Sequence, residues 1–204
     1  MNKKNLKQRL KNGETVIGTW NMIPSPPLVE AIGYGGFDFI VIDREHGPVS
    51  VESAENLVRA SEGSGMSSII RVPRLESHSI ISALDIGAHG IQVPHISTKE
   101  EAEKVIEYAK YYPQGKRGFS PFTRAGRYGL DAKDHAVNSN RDTVIIVNVE
   151  GLDGIKNLSD IGSIPEIDVV FIGPYDLSQS LGEPGCVNDP EVIKHIKNSA
   201  KLIR

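Results

Sequence analysis

Apolar residues in this chain fall into short, nearly unbroken runs. Six of these runs read as strands: 16–20, 37–43, 67–72, 90–93, 144–149 and 169–172. They are rich in Ile and Val and show little alternation, which predicts parallel strands covered on both faces. Helix-like segments lie between them, and several helix starts are legible. Ser25 before Pro26 and Pro27 offers a cap and a proline first turn. Ser97-Thr-Lys-Glu100 reads as a capping box opening a helix to about Ala109. Asp189-Pro190-Glu191 opens a last helix. Glycines such as Gly36, Gly65 and Gly87 stand where helices end and strands begin.

Such βα repetition predicts a parallel α/β fold with right-handed crossovers. A doubly wound open sheet competes with a barrel here. No Gly-x-Gly-x-x-Gly follows the first strand, however, and polar residues follow nearly every strand instead of gathering at one switch point. The expectation is a TIM-type (β/α)8 barrel of which about six βα units are present, forming a single domain over residues 1–204. A closed barrel takes eight strands and about 250 residues. The sequence therefore reads either as a fragment of a longer enzyme or as an open barrel with an exposed edge.

The strand ends carry the candidate chemistry. The second run leads into Asp43, Glu45 and His46, the third ends at Arg71, the fourth leads to His95, the fifth to Glu150 and the sixth to Asp176. Parallel strands would gather these side chains at one rim, where barrel enzymes keep their active sites. Asp43 and His46 share one turn, and a carboxylate beside an imidazole suits a general base. Arg71 offers a fork of donors to a carboxylate or enolate oxygen, or else closes the rim by pairing with Asp43 or Glu45. Glu150 and Asp176 are hard oxygen ligands suited to Mg²⁺ or Mn²⁺. Taken alone, a strand-end acid is more often a helix cap or salt-bridge partner, and Asp176 in Gly-Pro-Tyr-Asp-Leu-Ser reads that way too. His95 faces the rim with a lining role at most. His78, His89, His135 and His195 have no partner at ligand-like spacing and read as structural or surface residues.

Composition narrows the setting. A net charge of −3 gives no support for a nucleic-acid surface. The one cysteine, Cys186, cannot form an internal disulfide, which suits a reducing cytoplasm. No run approaches the roughly 20 apolar residues of a membrane span. The basic start, with Leu6 and Leu10 four apart, reads as a short helix with a solvated basic face packed on the barrel floor. Residues 111–142 are too long for an ordinary connection, and their aromatic and basic groups on glycine hinges suggest a loop over the active-site rim, closing on an anionic substrate. A variable surface excursion is the plainer reading.

At these residues the chain resembles the HpcH/HpaI aldolase family of metal-dependent class II pyruvate aldolases, which includes 4-hydroxy-2-oxoheptanedioate and 2-keto-3-deoxy-sugar-acid aldolases. The resemblance is carried by Gly18-Thr-Trp20, Gly36-Phe-Asp-Phe-Ile-Val-Ile-Asp-Arg-Glu-His-Gly-Pro48, Arg71-Val-Pro73, Leu84-Asp-Ile-Gly87, Tyr112-Pro-Gln-Gly-Lys-Arg-Gly118, Val149-Glu150 and Phe171-Ile-Gly-Pro-Tyr-Asp-Leu-Ser178. It implies an aldehyde-lyase that reversibly cleaves a 4-hydroxy-2-oxo acid to pyruvate and an aldehyde. Glu150 and Asp176 would hold Mg²⁺ or Mn²⁺ (Co²⁺ as a variant), with no organic cofactor. By the same resemblance Arg71 steadies the enolate oxygen, His46 moves the proton, Asp43 and Asp85 back the histidine, and Glu45 orders metal-bound water. Trp20, Asn148 and the N–H groups of Tyr175 and Asp176 would line the substrate. Asn148 stands where the family usually has Gln. A full-length chain would be a homo-oligomer, hexameric in the family. Two other readings remain at this point: a citrate-lyase-like or malyl-CoA-lyase-like enzyme acting on a CoA thioester, with Lys116, Arg117, Arg124 and Arg127 toward its phosphates, and a non-catalytic truncated remnant.

Overall fold

The computed structural model describes residues 5–203; residues 1–4 of the basic start lie outside them. Strands β1 (Gly18–Asn21), β2 (Phe39–Asp43), β3 (Ser67–Arg71), β4 (Gly90–Val93), β5 (Val144–Val149) and β6 (Val169–Ile172) lie side by side in chain order, all parallel. A doubly wound sheet would reverse that order at a switch point. Here every crossover proceeds in the same direction, and the sheet curls into part of a TIM-type barrel. The Trp20 and Phe171 rings, 5.1 Å apart, join the first strand to the last.

Strand residues divide by parity, as a pleated backbone requires. Ile40, Ile42, Ile70, Ile91, Val93, Ile145 and Val147 face the helices and form the main core with Val29, Leu57, Ile80, Val105 and Leu158. Val41, Ile69, Val144 and Ile146 face inward as a second apolar cluster. Both faces are thus buried, which is why alternation is missing from the sequence. Two residues further along the same inward series stand Asp43, Arg71 and Asn148, and Gln92 shares their level. The interior is therefore apolar at its floor and polar at its rim.

Helices α2 (Pro26–Tyr34), α3 (Val51–Gly63), α4 (Ser77–Asp85) and α5 (Lys99–Ala109) return the chain to the floor after β1 to β4. The capping box of α5 is formed by Thr98 and Glu101, one residue later than the sequence suggested. Ser25 makes no side-chain cap, so the prolines alone open α2. The floor helix α1 (Leu6–Lys11) plugs the barrel with Leu6. Its basic face is not wholly solvated: Lys7 is buried, its Nζ donating to Thr143 O at 2.9 Å and pairing with Asp168 Oδ2 at 2.8 Å.

The long segment before β5 holds a 3-10 turn (Arg124–Gly129) and α6 (His135–Asp142). It links the lower end of α5 to the lower end of β5, so topology itself keeps it on the floor. Arg124 donates to Ile86 O at 3.0 Å and pairs with Glu62, where α4 and α3 end. Arg117 donates to Asp85 Oδ1 at 2.6 Å and lies 4.5 Å from the Tyr111 ring centre. The loop expected over the active-site rim thus makes its contacts at the opposite end of the sheet. The remaining elements are α7 (Leu152–Lys156), α8 (Leu158–Gly162), α9 (Pro174–Ser180) and α10 (Pro190–Leu202), the last capped by Asp189 as the sequence indicated.

Lys110, 1 % exposed, donates from Nζ to Asn140 O at 2.6 Å. Burial foremost, and the neighbouring Lys7, push its pKa down to about 8. The fold holds this proton less tightly than the unfolded chain does, so the penalty is full below pH 8. It fades as pH rises toward the unfolded value of about 10.4. Compared with Lys110→Met, the wild-type melting temperature should gain several degrees between pH 7.5 and 10. A pH-independent difference in thermal melts would contradict this.

Candidate active site

The rim is organised around one buried ion pair. Asp43, wholly buried at the end of β2, faces its register partner Arg71 at the end of β3. Arg71 Nε donates to Asp43 Oδ1 at 2.9 Å and Nη2 to Oδ2 at 2.5 Å, a two-pronged contact. The backbone N–H groups of Glu45 and His46 also donate to Oδ1, at 3.0 and 3.2 Å. Burial by itself would raise the Asp43 pKa, but the Arg71 hydrogen bonds and these backbone donors outweigh it and hold the carboxyl below its ordinary range.

The turn built on Asp43 sends Glu45 inward. Arg71 Nη1 lies 2.9 Å from Glu45 Oε2, but out of line for a hydrogen bond, leaving that oxygen buried without a donor among the described residues. Burial first, and the Glu150 charge in support, raise the Glu45 pKa against the pull of Arg71. The His46 ring is largely exposed, its Nε2 3.8 Å from Glu45 Oε2. Asp43 therefore holds the His46 backbone, while its carboxylate engages Arg71. The imidazole–carboxylate pairing expected in that turn is made instead by Glu45, and loosely.

His95 is more deeply engaged than its place in the sequence suggested. Its backbone turns left-handed, φ +57°, which costs a non-glycine residue energy. The turn aims both its N–H (3.0 Å) and its Nδ1 (2.9 Å) at Glu150 Oε2 while Nε2 reaches Glu45 Oε1 at 3.0 Å. The ring thus stands between the two carboxylates, within 3.0 Å of both. A histidine two residues beyond a strand, after Val-Pro, was the available signal.

Glu150 is buried at the end of β5, its Oε1 accepting from Asn148 Nδ2 at 2.8 Å. Gly173 lies against it: a Cβ there would come within 2.7 Å of the Glu150 Cγ. Three residues on, Asp176 stands exposed in the first turn of α9 at the same end of the sheet, with Tyr175, also exposed, beside it. Trp20 is half-exposed near the gap between β1 and β6. Asp85 is not part of this assembly. It ends α4 on the floor and binds Arg117, because a helix after a strand runs away from the rim. Within one chain it does not back His46.

The rim's donor set fits a hard divalent cation. Asp43, Glu45 and Glu150 bring three carboxylates against the single guanidinium of Arg71, and one Glu45 oxygen lacks a donor. Among the described residues no group of three or more His, Cys, Asp or Glu is arranged to hold a metal by itself. Two protein carboxylates, with water and substrate oxygens completing the shell, suit Mg²⁺ or Mn²⁺ better than a Zn²⁺ site with three protein ligands.

An arginine set among acids at the strand ends of a parallel barrel stands where barrel enzymes keep their active sites. The chain belongs to the HpcH/HpaI aldolase/citrate lyase family, whose profile matches residues 17–203. It is 36% identical over 197 residues to a 5-keto-4-deoxy-D-glucarate aldolase of Shigella boydii serotype 18 (strain CDC 3083-94 / BS512), covering 95% of this chain and 76% of that protein. Among solved structures it is similar to citrate synthase SbnG (36% identity, TM-score 0.88, 98% of this chain and 77% of that one). It is likewise similar to an HpcH/HpaI aldolase/citrate lyase family protein from Burkholderia cenocepacia J2315 (29% identity, TM-score 0.93, 98% and 80%). It is thus an enzyme of the aldolase and lyase class.

Arg71→Met would leave Asp43 charged and buried without its cation, at a cost of about 3 kcal/mol or more. Chemical denaturation should show that loss at pH 7, and adding Asp43→Asn should recover part of it. The Asp43 contribution is present above its unfolded pKa of about 3.9 and is lost as pH falls toward the depressed folded value. The gap between wild type and the double variant should therefore narrow in acid. A single variant as stable as wild type would be inconsistent with the pair's role.

Proposed function

We propose that this enzyme is a divalent-cation-dependent aldolase that splits a 4-hydroxy-2-oxo acid into pyruvate and an aldehyde. The reading is carried by Arg71, held by Asp43 and flanked by Glu45, on the same rim as Glu150. Cleavage breaks the C3–C4 bond. Its electrons pass to C3 and the C2 oxygen as an enolate, the C4 hydroxyl loses its proton, and the aldehyde departs. Arg71 is already oriented, so its donors meet the growing enolate charge without reorganising. His46, with its exposed ring, accepts the hydroxyl proton and later returns one to C3. The unfilled N–H groups of Tyr175 and Asp176, where α9 begins, receive the carboxylate. Glu150 and Asp176 would hold the cation, which supplies Lewis-acid polarisation of the keto and carboxylate oxygens.

A second reading has its own observation. The His95 ring stands between Glu45 and Glu150, and a structure similar to this one is a citrate synthase. An imidazole in that place serves the proton transfer of a carbon–carbon lyase acting on a CoA thioester. The basic residues of the long segment lend that reading no support, since Lys116, Arg117, Arg124 and Arg127 pair with Glu107, Asp85, Glu62 and Asp131.

Pyruvate release from a 4-hydroxy-2-oxo acid should cease with EDTA, return with Mg²⁺ or Mn²⁺, and drop at least 10²-fold in Glu150→Ala. Activity that persists in EDTA, or that free CoA inhibits competitively, would favour the thioester reading over the aldolase.

A further inference from the structure

The run Gly-Ile-Gln-Val of β4 carries one polar residue, Gln92, in the barrel interior. Gln92 and Asn148 are 1 % and 0 % exposed. Gln92 Nε2 donates to Asn148 Oδ1 at 2.6 Å, and Asn148 Nδ2 donates to Glu150 Oε1 at 2.8 Å. The direction of this chain is forced from one end. An ionised carboxylate only accepts, so Asn148 must present its NH₂ to Glu150. Its carbonyl then turns toward Gln92, and Gln92 must donate in turn. The consequence is visible at the far end, where Gln92 Oε1 is buried with no donor among the described residues. A pair of apolar side chains would avoid that penalty. What the amides add is a fixed orientation for one carboxylate.

We propose that Gln92 is a positioning residue for Glu150, acting through Asn148. The relay fixes the plane of the Glu150 carboxylate, leaving its remaining lone pairs turned to the rim. With Gln92 removed, Asn148 Oδ1 loses its donor and the side chain is free to swing off Glu150, which then keeps only the His95 N–H on Oε2 and is held less firmly. This rests on Glu150 being a cation ligand, and the test separates the two claims.

Mn²⁺ binding to the full chain, without substrate, is measured by titration calorimetry for wild type, Gln92→Met, Asn148→Ala, the Gln92→Met/Asn148→Ala double variant and Glu150→Gln. Thermal melts show which variants are folded, with Gln92→Leu replacing Met if Met does not melt cooperatively. The relay predicts about ten-fold weaker Mn²⁺ binding in Gln92→Met. It also predicts that the double variant binds no more weakly than Asn148→Ala, since one path carries both effects. Gln92→Met within two-fold of wild type, or losses that simply multiply, overturns the relay. If those results come with lost binding in Glu150→Gln, the ligand assignment stands and only the relay fails. Glu150→Gln binding Mn²⁺ like wild type, or a wild type with no saturable binding, removes the assignment and the relay together.

Discussion

Arg71 and Asp43 meet at matching positions on β2 and β3, and the rest of the rim is built on that meeting. A carboxylate with no solvent exposure stays charged only when its surroundings replace water's hydrogen bonds. Two guanidinium donors and two backbone N–H groups do so here. The backbone donors matter as much as the arginine, because they coil the chain after β2 tightly over Asp43. Gly47 continues that coil where a Cβ would strike the Asp43 carbonyl oxygen. The coil turns Glu45 inward, Glu45 holds His95, and His95 holds Glu150. A chain of polar contacts therefore runs across four strands from a single ion pair.

That chain is short of positive charge. Three carboxylates converge on one arginine and one imidazole, and burial first, then the Glu150 charge, raises the Glu45 pKa. The arginines of the 111–142 segment do not relieve it: Arg117, Arg124, Arg127 and Arg141 pair with Asp85, Glu62, Asp131 and Asp142, and the first two fasten the segment to the barrel floor. In the aldolase reading a divalent cation answers that surplus of carboxylates.

The amides of Gln92 and Asn148 show how such a site is stabilised from below. The inward series of β2, β3 and β5 changes from apolar to polar within two residues, from Val41, Ile69 and Ile146 to Asp43, Arg71 and Asn148. At that depth a hydrogen bond is strong and an unmet partner is costly.

All six strands were legible because both faces of a parallel barrel are buried, and burial on both faces is written as unbroken Ile and Val. The strand-end residues Asp43, Glu45, His46, Arg71, Glu150 and Asp176 were legible for the same reason, since parallel strands bring their C-terminal ends together. Partnerships were not. The sequence allowed Asp43 to serve either His46 or Arg71, and geometry chose Arg71 because register places the two side by side. Asp85 stood out among the quoted motifs but lies on the floor, since a helix of nine residues carries its end that far from the rim. The long segment reads like a lid and lies underneath, because a connection from helix to strand starts and finishes at the lower end. His95 and Gln92 were visible only as polar residues in or after an apolar run. Their importance came from a left-handed turn and from strand parity, which act between elements. The chain's own pattern determined which residues stand at the ends of strands; only the folded barrel decided which of them touch, because contact across a sheet depends on register and curl that no local run of residues encodes.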